Sequence, residues 1–546
     1  MGKAWIGLAI GLVTTVIAGA ASAKTERLVS REQALALARP TWGHSGSGQY
    51  LAGQLAQREL DYSNAADYLR GALSWAPNDL DLRRRVFLLM LAEGRLADAL
   101  PHTDALRRYD TNDLLPVVAD AVGAIIKGDG AKVVTTLADL NSGGFPGLMR
   151  TLGQAWGAVA ANDLPAARAV LAFSAAEPAW ATIIKIHTAL IEDIAGADGA
   201  GAAYTAILEA KSGRSSRSVS LINNFRARQK DSSVAPLVRN AQDGMAEAFF
   251  SIAAALNQGK QSLSALIYAQ LALKLRPDSD LLQILVAEVI EKQDRYADAA
   301  AVYAGIDATS PRFAMARLAQ ARNLARADLP DEAIIALRGL AAEGTQSTQA
   351  SILLGDILRG EERFDEAIAA YDKAAAQLGE ITADDWRLLY SRGIALERGG
   401  QWELAEADLK KALEMRPDEA FVLNYLGYSW IDRGEHLEKA EGMVRRASEL
   451  KPEDGFIADS LGWAYYRTGR YEEAVAELER AITLQPVDPV INEHLGDAYW
   501  QANRKAEARF QWRRALNFDP PADLVPKIEE KLRCGLDRCA VARRAD

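Results

Sequence analysis

The sequence predicts an all-α fold, a superhelical solenoid of stacked two-helix repeats. The first observation is a row of prolines, Pro417, Pro452, Pro486 and Pro520, spaced 35, 34 and 34 residues apart. The second is that two alanine ladders and one Leu-Gly ladder keep the same step. The ladders are Ala405, Ala440, Ala474 and Ala508; Ala412, Ala447, Ala481 and Ala515; and the Leu-Gly pairs that begin at Leu426, Leu461 and Leu495. The third is that every segment between the marks has helical periodicity, so the period is that of a helix-turn-helix repeat.

The stretch 455–488 shows how the two helices of one repeat are built. Leu461 and Tyr465 lie at i and i+4 on one face of a first helix, and the apolar residues from Ala474 onward recur at helical spacing on a second. Gly469 separates the two helices, and Pro486 ends the second because proline cannot continue a helix interior. A two-helix unit cannot bury its apolar face alone, so neighbouring units must stack.

The N-terminal sequence predicts that the protein is exported. Residues 1–23 have a positive start at Lys3, an apolar run and a small-residue site at Ala21–Ala23, as in a secretory signal peptide cleaved before Lys24. An uncleaved anchor is the alternative interpretation, although the run is short for a membrane span. After cleavage we expect no membrane span and a periplasmic location. Residues 24–45 form a lead-in of one short helix and a glycine-rich loop.

The sequence of residues 46–210 predicts degenerate two-helix repeats. The residue types that recur in the C-terminal repeats are found at the same spacing near Tyr62–Pro77, and this regularity is then gradually lost. Residues 211–245 form an irregular connecting segment, rich in serine and arginine. It is interpreted as a degenerate repeat with a solvated face or, alternatively, as a basic docking loop. Its basic residues include Arg214, Arg217, Arg226, Arg228, Lys230 and Arg239.

Residues 246–522 predict an array of eight repeats. The predicted units are 246–279, 280–313, 314–347, 348–381, 386–419, 420–454, 455–488 and 489–522. Residues 523–546 form a capping helix and tail, whose charges suit an outer face that no repeat covers. Those charges are Lys527, Glu529, Glu530 and Lys531. Cys534 and Cys539 predict a small disulfide loop in an exported protein, with an exposed redox pair as the alternative.

Composition excludes several function classes. The net charge of −10 and the lack of a basic stripe argue against nucleic acid as a partner. The 5 histidines are scattered without metal-ligand spacing, and no Gly-rich phosphate loop follows a strand. We therefore predict a chain that is not an enzyme and that needs no metal or cofactor.

The repeat resembles the tetratricopeptide repeat (TPR) family. The residues that carry the resemblance are Leu461, Gly462, Tyr465, Gly469, Tyr471, Ala474, Leu478, Ala481 and Pro486. It covers 246–522 well and 46–210 loosely, and it implies a right-handed superhelical α-solenoid that binds or scaffolds other molecules. The chain also resembles multi-repeat envelope proteins of proteobacteria, through the Ser460–Arg470 run followed by His494–Trp500.

The resemblance implies that first helices line a concave groove through positions 2, 5, 9, 12 and 13 of each unit. The groove-binding candidates are Asn424, Tyr428, Asp432, Asp459, Trp463, Tyr466, Arg467, Glu493, Asp497 and Trp500. One hypothesis is an adaptor for a protein or peptide segment of the cell envelope, and the other is a polysaccharide scaffold that stacks sugars on the aromatics. The alternative for the aromatics is packing against a neighbouring helix or a folded-back C-terminal tail. A basic clamp for a partner's C-terminal carboxylate is not expected, since Asp459 and Glu493 occupy its positions.

Overall fold

The computed structural model describes residues 45–542, apart from 111–112, 175–179, 197–198, 210–215, 232, 260–261, 343 and 345. The predicted signal peptide and nearly all of the lead-in lie outside these residues. Within this part of the chain the regular structure is helical, without a strand, and the predicted all-α solenoid of TPR-like repeats is confirmed. The chain divides into an N-terminal unit that ends at Asp294 and a C-terminal unit that begins at Arg295.

The C-terminal unit is a run of helix pairs that follows the predicted 34-residue period. Its helices are Tyr296–Ala304, Phe313–Arg326, Pro330–Ala342, Ser347–Gly360, Phe364–Leu378, Trp386–Arg398, Trp402–Met415, Ala420–Arg433, Leu437–Leu450, Gly455–Arg467, Tyr471–Leu484, Pro489–Gln501, Lys505–Asn517 and Leu524–Ala542, with a 3₁₀ turn at Ala383–Asp385. The last of these is called the end helix below. The four marker prolines each follow the end of a second helix by two or three residues.

Local chemistry explains where these helices begin and end. Asp488 caps Pro489–Gln501, because its carboxylate accepts hydrogen bonds from the amides of Val490 and Ile491, both at 2.9 Å. Asp454 caps the preceding first helix in the same way. Gly469 reverses the chain after Gly455–Arg467 with φ of 79°, a value that glycine adopts without strain.

Small residues at the ladder positions set how closely the two helices of a repeat approach. At Gly462 a Cβ would come within 2.6 Å of Leu478 Cγ, so any larger residue would push the helices apart. Ala474, Leu478 and Ala481 are fully buried against the first helix. The ladders in the sequence are therefore the contact lines between helices.

The N-terminal unit packs less regularly. Its α-helices are Gly46–Arg58, Tyr62–Trp75, Leu80–Ala92, Leu96–Ala99, Thr103–Tyr109, Leu114–Ile126, Gly130–Leu137, Gly144–Ala160, Leu164–Ser174, Ala181–Ile194, Ala200–Glu209, Ser216–Lys230, Ala241–Asn257, Ser262–Leu275 and Asp280–Glu291. Helices distant in sequence meet in its core: a Cβ on Gly244 would lie 2.4 Å from the Trp156 indole, and Tyr268 contacts Phe145 edge-on at 5.9 Å. These contacts join 241–275 to the earlier helices, in keeping with a compact division that falls after Asp294.

Within the segment 211–245, residues 216–230 form a helix. Leu221 and Ile222 are buried on it. Arg228 pairs with Asp193, whose carboxylate also accepts the Tyr204 hydroxyl at 3.1 Å. Arg228 is therefore committed to the interior of the unit and does not belong to a basic docking loop. Arg214 and the side chain of Arg217 lie outside the described residues.

In the described part of the chain, no helix combines the length and apolar character that crossing a membrane requires.

Candidate functional site

The ten predicted groove residues lie on three successive first helices, Ala420–Arg433, Gly455–Arg467 and Pro489–Gln501. The structure separates them by burial. Asp432 and Arg467 are exposed; Asn424, Tyr428, Trp463 and Tyr466 are half-buried; and Asp459, Glu493, Asp497 and Trp500 are buried. The site thus has a closed part toward the C-terminus and an accessible part before it.

An imidazole links the last two repeats in the closed part. His494 Nδ1 lies 2.9 Å from Asp459 Oδ1, and its Nε2 lies 3.8 Å from Glu493 Oε2. Burial alone would lower the pKa of His494, but Asp459, Glu493 and Asp497 outweigh it and raise the pKa to about 9. His494 is therefore an imidazolium at neutral pH, held between carboxylates on neighbouring first helices.

An ammonium group from the end helix completes this charge cluster. Lys531 Nζ pairs with Glu493 and lies 2.6 Å from Asp497 Oδ2, while the Trp512 indole N–H donates to Asp497 Oδ1 at 3.0 Å. Burial raises the pKa of Asp497 to about 6; Glu493 adds to the shift and Lys531 opposes it. Burial lowers the pKa of Lys531, but the two carboxylates more than reverse this and leave it above its usual value.

The prediction that Lys531 belongs to a solvated outer face is wrong, because its side chain is only 17% exposed and covers Glu493 and Asp497. Trp500 is covered as well. It stacks on Trp512 with centroids 5.4 Å apart, and Gly535 of the end helix lies against its ring. Glu493, Asp497 and Trp500 therefore do not line an open groove in this structure, and for Trp500 the alternative of packing against neighbouring helices applies.

A stack of rings marks the border between the closed and accessible parts. The Trp463 ring lies parallel to Tyr466 at 4.6 Å and to His494 at 4.1 Å. Its indole N–H is buried and, among the described residues, has no hydrogen-bond partner. A buried donor without an acceptor is costly, so this N–H makes the ring stack locally less favourable.

We call the remaining open surface the accessible face; it comprises Phe421, Asn424, Tyr428, Phe456 and Trp463. Phe421 and Phe456 are 43% and 53% exposed at position 2 of successive repeats. Asn424 Oδ1 is buried and unpaired within the described residues. Burial, with Asp459 and other nearby carboxylates, raises the pKa of Tyr428 and keeps its hydroxyl protonated as a donor. The face thus combines two exposed apolar rings with half-buried polar side chains.

Arg467 and Asp432 flank the accessible face and hold its helices in register. Arg467 Nη1 donates to the Asp432 carbonyl oxygen at 3.0 Å and lies 3.5 Å from the Asp432 carboxylate. Both side chains are solvent-exposed, so the pair contributes positioning more than stability.

His494 and Lys531 were not selected as site residues from the sequence. A signal for Lys531 was present, because it stands 34 residues after Asp497 and so occupies the same position of the next helix with opposite charge. An opposite charge at the equal position of the next helix indicates a lateral ion pair between stacked helices. His494 gave no such signal, because it stands one position after Glu493, the equivalent of Asp459.

The described residues contain no group of three or more His, Cys, Asp or Glu side chains suited to holding a metal ion. Cys534 is disulfide-bonded, and Cys539 is the only other cysteine in the sequence, although its side chain lies outside the described residues.

Comparison with known proteins agrees with the repeat assignment. Residues 318–385, 352–420, 390–454 and 460–522 match the family model described as tetratricopeptide repeat, so this region carries such repeats. A search of curated proteins returned no match.

Several solved structures are similar in fold. The APC/C hetero-tetramer Cut9–Hcn1 is 15% identical with a TM-score of 0.39, covering 92% of this chain and 99% of that chain. A tetratricopeptide repeat protein from Parabacteroides merdae is 15% identical with a TM-score of 0.36, covering 53% and 98%. MamA of AMB-1 is 22% identical with a TM-score of 0.27, covering 31% and 97%. At these TM-scores none of them bears on function.

Proposed function

We propose that this protein is an exported adaptor whose accessible face binds a segment of a partner protein, in the assembly or maintenance of the cell envelope. Support comes from the composition of that face. Phe421 and Phe456 expose rings to water at equivalent positions, and exposed aromatic pairs on a repeat surface are suited to anchoring a partner. Tetratricopeptide repeats in the same region fit a protein-interaction role.

The observation that carries the proposal is the exposure of two phenylalanine rings, Phe421 and Phe456, at position 2 of successive repeats. Apolar rings that face water are favourably covered by apolar side chains of a partner. The half-buried side chains of Asn424 and Tyr428 add polar groups on the same first helix as Phe421. A bound segment would therefore cover the phenylalanines with its own apolar side chains.

Photo-crosslinking in cells tests the proposal. A photoreactive amino acid replaces Phe456 or Trp463 on the accessible face or, as the matched control, Phe510, which is 58% exposed on a second helix. We expect positions 456 and 463 to capture the same protein, at one defined segment, while position 510 does not. Equal capture from all three positions, or none from 456 and 463, contradicts the proposal.

The envelope location rests on the N-terminal sequence, which lies outside the described residues. We propose that the chain is exported to the periplasm and cleaved after Ala23. Sequencing the N-terminus of the mature protein is expected to read from Lys24. A mature chain that retains residues 1–23, or that fractionates with the cytoplasm, contradicts this part of the proposal.

The polysaccharide alternative is not carried forward, since no observation favours it. Sugar stacking needs an accessible ring face, and the ring faces of Trp463 are engaged by Tyr466 and His494. Trp500 is buried against Trp512 and the end helix.

A further inference from the structure

An apolar cleft lies in the N-terminal unit, far along the chain from the accessible face. It is formed by helices Leu164–Ser174, Ala181–Ile194 and Ala200–Glu209 and has a volume of about 490 Å³. This is within the range of about 300–1,000 Å³ that small-molecule sites occupy. Its walls are the side chains of Leu171, Ala172, Ile184, Ile191, Ala203 and Ala206.

Small side chains create the cleft. Ala172 on the first of these helices and Ala203 and Ala206 on the third line it with short side chains. Ile184 and Ile191 on the middle helix are buried in its lining. Apolar surface that faces water in a concave site is favourably covered by a hydrocarbon.

Among the described residues, the charged groups that line the cleft carry one more positive than negative charge. Arg168 and Glu192 form a two-point pair, with both N–O distances at 2.7 Å, so these charges cancel. Lys185 also lines the mouth, and in the described part of the chain its ammonium has no hydrogen bond or ion pair. A ligand with a hydrocarbon body and an anionic end would place its charge beside Lys185.

We propose that this cleft is a binding site for a single-chain fatty acid, with the alkyl chain along Leu171, Ile184 and Ile191 and the carboxylate at Lys185. The site is independent of the accessible face and goes beyond the proposed adaptor function. Three features carry it together: a cleft of small-molecule volume, an almost wholly apolar wall and one cation at the mouth that no described side chain pairs with.

Titration calorimetry of the full chain with decanoate, below its micellar concentration, tests the site. We expect one decanoate per chain. Lys185→Glu is expected to weaken decanoate binding by about five- to tenfold, because it turns an exposed attraction into a repulsion, and to change decan-1-ol binding by less than about twofold. Ala203→Phe fills the cleft and is expected to abolish binding of both compounds.

Two matched variants separate the cleft from the surface in general. Lys132→Glu makes the same charge change on another exposed lysine of the unit, and Ala202→Phe adds the same ring at an exposed neighbour outside the cleft. Both are expected to bind decanoate like the unaltered chain. The proposal is overturned if decanoate does not bind, if decyltrimethylammonium binds as tightly as decanoate, or if folded Ala203→Phe retains binding.

Discussion

At the scale of single residues, the closed part of the site is a buried charge cluster whose members depend on one another. Asp459, Glu493 and Asp497 supply three carboxylates, and His494 and Lys531 supply two cations. Charges removed from water are tolerated only where each has an opposite partner. The cluster therefore fixes how helix Pro489–Gln501 and the end helix stack. Its formation costs the free energy of removing these charged groups from water.

Replacing Lys531 is expected to destabilise the end of the array strongly. Lys531→Met leaves Glu493 and Asp497 buried without their cation, a loss of about 3–5 kcal/mol. Lys527→Met is the control; Lys527 is 59% exposed in its pair with Asp523, and its loss costs less than about 1 kcal/mol. Hydrogen exchange of peptides from 489–517 measures the difference. Equal protection in the two variants contradicts the assigned role of Lys531.

The cluster also predicts a loss of stability in alkaline solution. The pKa of His494 is about 9 in the folded chain against an unperturbed 6.5, so its stabilising contribution is fully present below pH 6.5 and lost as the pH rises through 9. The contribution is on the order of 3 kcal/mol. The raised pKa of Asp497, about 6 against 3.8, acts in the same sense at lower pH.

Thermal unfolding between pH 6.5 and 9 tests the histidine contribution. The unaltered chain is expected to lose melting temperature across this window, and His494→Gln is expected to remove most of that dependence. His436→Asn, at an exposed residue in the left-handed region, serves as the control and should keep it. If the melting temperature of His494→Gln still falls across this window, groups other than His494 cause the pH dependence and the prediction is contradicted.

At the scale of elements, the end helix acts as the next first helix of the array and not as a solvated cover. It brings Lys531 to the carboxylates and buries Ile528. At Gly535 the backbone leaves the helical region, with φ of 68° and ψ of 178°, in a conformation essentially restricted to glycine. This kink lets the chain pass closely over Trp500.

Gly535→Ala is expected to detach the end helix locally. A Cβ there would come within 2.1 Å of Trp500 Cζ2, and the backbone conformation itself is unfavourable for alanine, so the loss is about 2 kcal/mol or more. Gly442→Ala is the control, because Gly442 is an exposed position inside helix Leu437–Leu450 with open space around it. That variant should gain about 0.5–1 kcal/mol. Hydrogen exchange of 524–535 should rise only in Gly535→Ala.

The helix pairs of the C-terminal unit were predictable because their signals are local. Pro486 follows its helix end by two residues, and Gly462 and Leu478 mark the contact line within one repeat. The helix at 216–230 was not delimited from the sequence, because its anchor is not local: Arg228 pairs with Asp193, 35 residues away. Packing of Trp500 against neighbouring helices was only the alternative interpretation, since it depends on where the end helix stacks.

At the scale of the whole molecule, the helices of the two units pack in different ways. In the C-terminal unit the contacts join successive helices, and sequence ladders mark them. In the N-terminal unit, helices such as Gly144–Ala160 and Ala241–Asn257 pack across a long sequence separation. The helices there meet through individual contacts, such as Trp156 against Gly244, and not through small residues that recur at the repeat spacing. This accounts for the decay of the repeat phase, and the cleft beside Lys185 lies in the same unit.

The affinity of the captured partner segment for matched phenylalanine variants tests the central claim most directly. The segment identified by crosslinking is titrated against the unaltered chain, Phe456→Ala and Phe510→Ala. If the accessible face is the binding site, Phe456→Ala weakens binding by about 10- to 100-fold, as expected for loss of an aromatic anchor, and Phe510→Ala changes it by less than about twofold. Equal affinities for the two variants, both folded, would contradict the claim that the accessible face holds the partner.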